Sequence, residues 1–301
     1  MGFADDYYYG QCKLICTTTT TADNGKTVSV VSGSGRTWSG TVANKVCTFL
    51  LPNRDSYTVK LMSGSTVQHQ ETVYLGYGEC KMIMIGMDKN TPEGIKAIVQ
   101  AGLESSFFTV GNTINFTEGS TSVQYRVLHV GYRTSKYGHN VIFGRDKCLN
   151  TTRVMNDSAT NAGGFASSGM CRYLNNDFYN SLSSDLKNVI TTCNKQLGIG
   201  NSTSLQAENH KIWLPSEWNV FGATTYAAAT EKTTGGEEQL SFFATAANRV
   251  RQVNGAASIW WLASPHAGSA TDFCIVTAAG AANSGAANYA YGVLPCFMIA
   301  A

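Results

Sequence analysis

Between positions 11 and 88 the apolar residues come in short runs that alternate with polar ones: CKLIC, KTVSVV, KVCTFLL, YTVKLM, ETVYLG and CKMIMIG. A period of two puts every second side chain on one face of an extended chain, so each run reads as a strand with one buried side. In the first run Cys12, Leu14 and Cys16 are the expected buried set. Asn24-Gly25 has the chemistry of a tight hairpin turn, and Gly33, Gly35 and Gly64 mark further turns. Short strands this closely spaced predict a β-sandwich over residues 11–88, after a leader at 1–10.

The pattern breaks at MDKNTPEGIKAIVQAG. Thr91 reads as an N-cap, Pro92 as the first helical residue and Gly102 as the stop, with Ile95, Ile98 and Val99 as the apolar stripe. This helix opens a second domain, residues 89–301. Strand-like segments follow, SFFTVGNTINF, SVQYRVLHVGY and HNVIFGRD. In SSGMCRYLNNDFYNSL the spacing becomes helical, with Met170, Leu174 and Phe178 on one face. Ser183 is expected to cap another helix, in which Leu186, Val189, Ile190 and Cys193 share a face before Gly198 ends it. The chain closes on SIWWLASP, TDFCIVTAAG and YGVLPCFMIA. The expected fold class is mostly β and α+β: a sandwich followed by an α+β domain.

Charge excludes one class of function. With 22 Lys and Arg against 20 Asp and Glu, and no basic run, the chain lacks the electrostatic footprint of a nucleic-acid binder. No apolar run approaches a membrane span. MGFADDYYYG has acidic residues where a signal peptide needs a basic region and an apolar core, and it lacks the Ser or Thr of a myristoylation site. Synthesis in a cytoplasm is therefore expected, with release by another route, such as inside an assembled phage particle. The nine cysteines form no CxxC pair and have no histidine at zinc spacing. They read as small buried hydrophobes, with Cys274 and Cys296 as potential neighbours on adjacent strands, and no metal or cofactor is expected.

Two resemblances refine this reading. GKTVSVVSGSGRTWSG…CTFLLPNRDSYTVKL resembles the small immunoglobulin-like modules related to carboxypeptidase regulatory domains, which implies a spacer or docking platform. In the second domain the ordered series VMNDSATNAGGFASSGMCRYLNNDFYNSLSSDLKNVI, IWLPSEWNVFG, SIWWLASP and FCIV with YGVLPCFMI resembles a domain common in gut phages and gut bacteria. That domain is of the broad C-type-lectin-like class, which includes formylglycine-generating enzymes and the variable proteins of diversity-generating retroelements. In those variable proteins the segment between the two terminal frames is rewritten by adenine-directed mutagenesis, which can turn asparagine codons into alanine codons. The resemblance thus implies a display surface made of Ala278, Ala279, Ala281, Ala282, Asn283, Ser284, Ala286, Ala287, Asn288, Tyr289 and Tyr291. Ile259, Trp260, Trp261, Leu262, Val293, Leu294, Phe297 and Ile299 would form the fixed, buried frame that holds it. Small side chains also suit close backbone packing in a loop or at a subunit interface, and an engineered alanine-substituted form would carry the same run.

The candidate chemical groups point away from catalysis. Formylglycine-generating relatives use a close pair of C-terminal cysteines, whereas the alanine-rich segment separates Cys274 from Cys296. His266 has only the distant Asp272 as a carboxylate. Glu217, in LPSE, fits the first turn of a short helix whose Trp218 and Phe221 pack inward. Calcium-dependent sugar binding needs a triplet such as Glu-Pro-Asn, and here Trp218-Asn219 runs into Val220. Trp260 and Trp261 alternate across a strand, one ring toward the core and the other toward a neighbouring layer or groove. Tyr289 and Tyr291 resemble the rigid aromatic anchors of binder surfaces. Gly111, Gly163 and Gly164 read as turn glycines, and the three tyrosines at 7–9 as a docking segment or a sticky tail. The expectation is a phage receptor-binding or tail-associated adhesin without enzymatic activity or cofactor. Its partners would be a host cell-surface receptor (protein or glycan), other virion proteins through the N-terminal module, and further copies of itself, as a trimer by analogy. Nucleic acid and membrane insertion are not expected. A structural virion protein and a bacterial cell-surface adhesin are the alternatives.

Overall fold

The computed structural model describes residues 11–18, 21–52, 54–85 and 90–301; the expected leader, with its three tyrosines, lies outside the described residues. Among the described residues strands far outweigh helices, so the protein is mostly β, with its strands spread over several sheets. The chain divides into two compact units, residues 1–98 and 99–301.

In the first unit, β1 (Gln11–Thr17), β2 (Thr27–Ser32), β3 (Thr37–Thr41), β4 (Val46–Pro52), β5 (Asp55–Ser63), β6 (Thr66–Leu75) and β7 (Cys80–Met84) form two sheets. Their orders are β4-β1-β7 and β3-β2-β5-β6, with β1 antiparallel to β4 and parallel to β7. The alternation places Cys12, Leu14 and Cys16 from one sheet, and Val28, Val30, Tyr57, Val59 and Leu61 from the other, in one fully buried core. The Tyr57 hydroxyl keeps its hydrogen bond in that setting by donating to the Pro52 carbonyl at 2.6 Å. Asn24-Gly25 differs from its expected role. Gly25 has the positive φ of 86° that such a turn requires, yet β1 and β2 on either side belong to different sheets. Turn chemistry fixes the local backbone and leaves open which strands it joins.

Helix α1 (Pro92–Gln100) begins as its sequence directs: Thr91 Oγ1 accepts from the Gly94 N–H at 3.2 Å, and Gly102 takes a φ of 70° just past the end. Two single-turn helices, α2 (Glu104–Phe107) and α3 (Thr134–Tyr137), lie on either side of a hairpin formed by β8 (Thr113–Glu118) and β9 (Thr121–Val130). The Ser-Phe-Phe expected to open a strand thus belongs largely to α2, and the strand begins only at Thr113. β10 (Asn140–Arg145) pairs with β9 and with the last strand of the chain, β20 (Cys296–Ala300), in the order β20-β10-β9-β8. Phe116 meets Tyr125, Phe143 and Phe297 edge-on at 5.4–5.5 Å, so the C-terminal strand is locked by aromatic packing.

After the short β11 (Arg153–Val154), α4 (Gly169–Tyr173) runs through a wide π turn at Leu174–Phe178 into α5 (Tyr179–Ser181), and Met170, Leu174 and Phe178 are buried. The next helix, α6 (Ser184–Val189), is capped by Ser183, whose Oγ accepts from the Leu186 N–H at 3.3 Å. It ends earlier than expected. Ile190 is extended, and Cys193–Gly198 forms β12, paired with β13 (Leu205–His210). Thr191 and Thr192 are β-branched, and Cys193, Lys195 and Leu197 alternate inward, so a period of two prevails over the helical reading. The remaining elements are α7 (Glu217–Phe221), α8 (Thr230–Thr233), β14 (Arg251–Val253), β15 (Ala256–Ser258), β16 (Trp260–Pro265), β17 (Asp272–Val276), β18 (Ala282–Ala286) and β19 (Ala290–Tyr291). β16, β17 and β18 form an antiparallel sheet in that order, and β19 pairs with β11. Cys274 therefore lies in a different sheet from Cys296, and the two are not neighbours on adjacent strands. All nine cysteines are free thiols and all but Cys80 are buried.

Candidate functional site

The frame around the C-terminal segment is built from side chains removed from water. Trp260, Trp261, Leu262, Val293, Leu294, Phe297 and Ile299 are fully buried, while Ile259 is only half-buried. Both tryptophan rings lie inside, so of the two expected settings for the second ring, a neighbouring layer or a groove, burial leaves the layer: β16 is covered on both faces. Each indole N–H finds a carbonyl: Trp260 Nε1 donates to Arg249 O at 2.9 Å and Trp261 Nε1 to Arg153 O at 2.8 Å.

Behind this frame lie buried charged groups that serve the fold. Lys195 Nζ bonds Glu237 Oε2 and Asn219 Oδ1 (2.7 Å) and sits 4.5 Å over the Trp213 ring. Burial pushes the Glu237 carboxyl up, but the Lys195 charge beside it and the Tyr132 hydroxyl at 2.6 Å bring it below its ordinary value. Glu231 accepts from the Gly198 N–H at 3.0 Å and from Ser264 Oγ at 2.7 Å, and burial pushes it up to about 8. Glu217 sits in the first turn of α7, as expected, and is fully buried, accepting from the N–H groups of Thr225, Tyr226 and Ala227. Trp218 and Phe221, expected to pack inward, are instead half-exposed and covered by Lys232 and Arg249. On a five-residue helix Val220 and Asn219 take the inner face. Asn219 spends its amide on Ser216, Lys195, Glu237 and Glu238, so it has no oxygen to offer a cation.

One further constellation has nucleophile-like geometry. Cys171 Sγ lies 3.5 Å from His210 Nδ1, and His210 Nε2 lies 2.9 Å from Glu208 Oε2. All three residues are buried, and burial pushes the Cys171 thiol up to about 12, the reverse of an activated thiolate. Burial likewise raises the Cys274 and Cys296 thiols. His266 accepts from the Gly268 N–H at 2.8 Å and leans on Tyr226, while Asp272 directs its carboxylate to Thr271 and Ser284.

The alanine-rich segment is a hairpin at the edge of the β16-β17-β18 sheet. Its turn is closed by Thr277: the Gly280 N–H donates to Thr277 O at 2.9 Å and the Ala281 N–H to Thr277 Oγ1 at 3.0 Å. Gly280 has φ 84°, and a Cβ there would lie 3.1 Å from Ala246 O, so the tip is seated against residues 246–250. Ala278, Ala279, Ala281, Asn283, Asn288 and Tyr289 are exposed, and Ala282, Ser284, Ala286 and Tyr291 are half-buried. Ala287 is the exception to the expected display set, because it is fully buried. Its N–H donates to Thr271 O and its carbonyl accepts from Met155 and Asn156, which ties the hairpin's end into the fold. Tyr291 is a seat for the hairpin more than an anchor for a ligand. Its ring packs on Trp261 at 4.8 Å and covers Gly285, where a Cβ would fall 2.8 Å from it. Tyr289, 57% exposed, is the large aromatic that faces outward.

Beside the hairpin is a feature that sequence reasoning missed, a groove of about 550 Å³ between the β11 segment and α4. Its lip includes Ala290, and its walls carry Arg153, Asp157, Arg172, Tyr173 and Asp177. Nothing in local spacing announces it, since the two walls are joined by contacts between separate elements: the Met170 N–H donates to Met155 O at 3.0 Å, the Gly169 N–H to Asn156 Oδ1 at 2.9 Å, and Arg153 lies over the Tyr173 ring. Among the described residues no group of three or more His, Cys, Asp or Glu is arranged to hold a metal ion, and no helix is long and apolar enough to cross a membrane.

Against known proteins, a family model described as "Domain of unknown function (DUF6273)" matches residues 139–301, more than half of the chain. The match begins just before β10 and runs through the frame, the groove and the hairpin. No curated protein matches the chain.

Proposed function

The chain belongs to the DUF6273 family, and from its own residues we propose that it is a recognition protein, a phage receptor-binding or tail-associated adhesin that displays its C-terminal hairpin. In this reading the first unit is an immunoglobulin-like docking module and the second a C-type-lectin-like variable domain of the kind diversified by retroelements. The two-sheet core of the first unit supports the former. The pairing of the C-terminal strand β20 with β10, at the start of the family match, is compatible with the latter.

The observation that carries the proposal is the separation of two kinds of residue within some forty positions. The frame is almost entirely interior, whereas the outer residues of the hairpin touch little and have small side chains. Burial at about 25 cal/mol per Å² of apolar surface holds the frame, and exposed substitutions usually change stability by under about 0.5 kcal/mol. Such a surface can vary in ligand preference without a cost in folding. Recognition would rest on shape, Tyr289 and backbone groups on a rigid support. Trimerisation would add avidity to weak single-site contacts.

Deep sequencing of the gene in its native population tests the proposal. It predicts substitutions concentrated at template adenines in the codons for residues 278–291, sparing Gly280, Gly285 and Ala287. Variation spread evenly over residues 139–301 would contradict it and favour a structural virion component.

A further inference from the structure

Four charged side chains line the groove beside the hairpin, Arg153, Arg172, Asp157 and Asp177, and among the described residues none of them enters an ion pair. Their order follows from the way the walls meet. The Gly169 N–H donates to Asn156 Oδ1 at 2.9 Å, the Met170 N–H donates to Met155 O, and the Arg153 guanidinium lies 3.5 Å over the Tyr173 ring. The β11 segment thus runs alongside α4 in the opposite direction. Asp157 falls at the Gly169 end, Asp177 one turn beyond Tyr173, and the two arginines between them.

This arrangement selects for a particular chemistry. A guanidinium stacked on an aromatic ring uses its flat face and keeps its N–H groups free in the plane. The Arg153 side chain makes no hydrogen bond to the described residues, so those donors are available, and Arg172 is steadied by donating to Ser167 O at 3.2 Å. Two guanidiniums lining one groove suit a planar carboxylate, which they can grip through paired hydrogen bonds. The carboxylates at the two ends accept hydrogen bonds and repel further negative charge, so they suit hydroxyl groups on either side of that anion. A compact polyanion would face both carboxylates without satisfying them, and a cation would face both arginines. The groove's size is within the range of small-molecule sites.

We propose that the groove between β11 and α4 binds a sugar acid, a pyranose ring whose carboxylate lies on Arg153 and Arg172 and whose hydroxyls donate to Asp157 and Asp177. The site belongs to the part of the domain outside the alanine-rich segment and shares with it only the lip at Ala290, so it stands or falls apart from the variability of the hairpin.

Calorimetric titration of the full chain with D-glucuronate and N-acetylneuraminate tests the assignment, with D-glucose and inorganic phosphate as the uncharged and the polyanionic controls. At least one sugar acid is expected to bind tenfold or more tightly than both controls. Arg153→Gln and Arg172→Gln should each weaken it about tenfold, and Asn188→Ala, exposed on α6 and outside both the groove and the hairpin, should leave it unchanged. Circular dichroism checks that the variants fold, and the four-ligand comparison on the unaltered chain decides the matter even where a variant does not. The proposal is overturned by silence toward both sugar acids up to about 10 mM. Equal binding of glucose or phosphate, or capture of an acidic peptide in preference to the sugar acids, overturns it as well.

Discussion

The β16–β17 pair and its neighbour β18 belong to one sheet, yet they are built on opposite terms. β16 presents six consecutive buried residues, WWLASP, and β17 is buried over four of its five. β18, with sequence ANSGA, has a single buried position, Gly285, and that one is covered by Tyr291. Backbone pairing, the Ser284 bond to Asp272 and the Tyr291 ring over Gly285 place β18, so its outward side chains are largely free of the packing that stabilises the sheet. A strand can thus be fixed in position while its outward chemistry stays open to change.

The harshest trial of this contrast is an attack on the interior. Glu237→Ala leaves Lys195 charged and buried without its carboxylate, and it should cost about 3–5 kcal/mol of unfolding free energy by denaturant titration. A loss near that of a surface change would mean the frame is softer than its burial indicates. Next in size is Gly285→Ala, the buried seam between strand and Tyr291. The new Cβ meets the ring at 2.8 Å, so a destabilisation of about 1–3 kcal/mol is expected in the same assay.

A pH profile probes the interior more finely. The folded-state pKa of Glu231 is raised to about 8, so the native protein holds a proton that the unfolded chain releases from about pH 4.5 upward. Its contribution is therefore fully present below the unfolded value and is lost as pH rises through the window to about 8, with a slope of at most about 1.4 kcal/mol per pH unit. Glu231→Gln should flatten that slope between pH 5 and 8. An unchanged profile in the variant would remove Glu231 from the account. The smallest effect belongs to the hairpin's outer face: Ala279→Lys, Ala281→Lys and Asn283→Lys should each shift stability by under about 0.5 kcal/mol.

The strands of the first unit were legible because a period of two is local, and Cys12, Leu14 and Cys16 pointed inward as their spacing directed. The caps at Thr91 and Ser183 were legible for the same reason. Features that depend on distant partners were not. Asn24-Gly25 gave its turn but not the sheets it connects, and Trp260 and Trp261 gave their alternation but not the layer that buries the second ring. The interior ion pair of Lys195 and Glu237 joins residues 42 apart, and a lone lysine in a strand carries no mark of that fate. The groove is hidden still more deeply, since its walls are joined by the Gly169 and Met170 N–H groups donating to Asn156 and Met155 and by Arg153 over the Tyr173 ring. Ala287 shows the limit at single-residue scale, because nothing in a run of alanines distinguishes the buried one from its exposed neighbours.

The central claim is that the hairpin's outer face is uncoupled from folding. It is tested most directly by a library randomised at Ala278, Ala279, Ala281, Asn283, Asn288 and Tyr289 and selected for protease resistance, with a matched library at Trp260, Trp261, Leu262, Cys274, Val293 and Phe297. Most members of the first library should survive at the level of the unaltered chain, and nearly all of the second should be cleaved. Comparable losses in both would contradict the account.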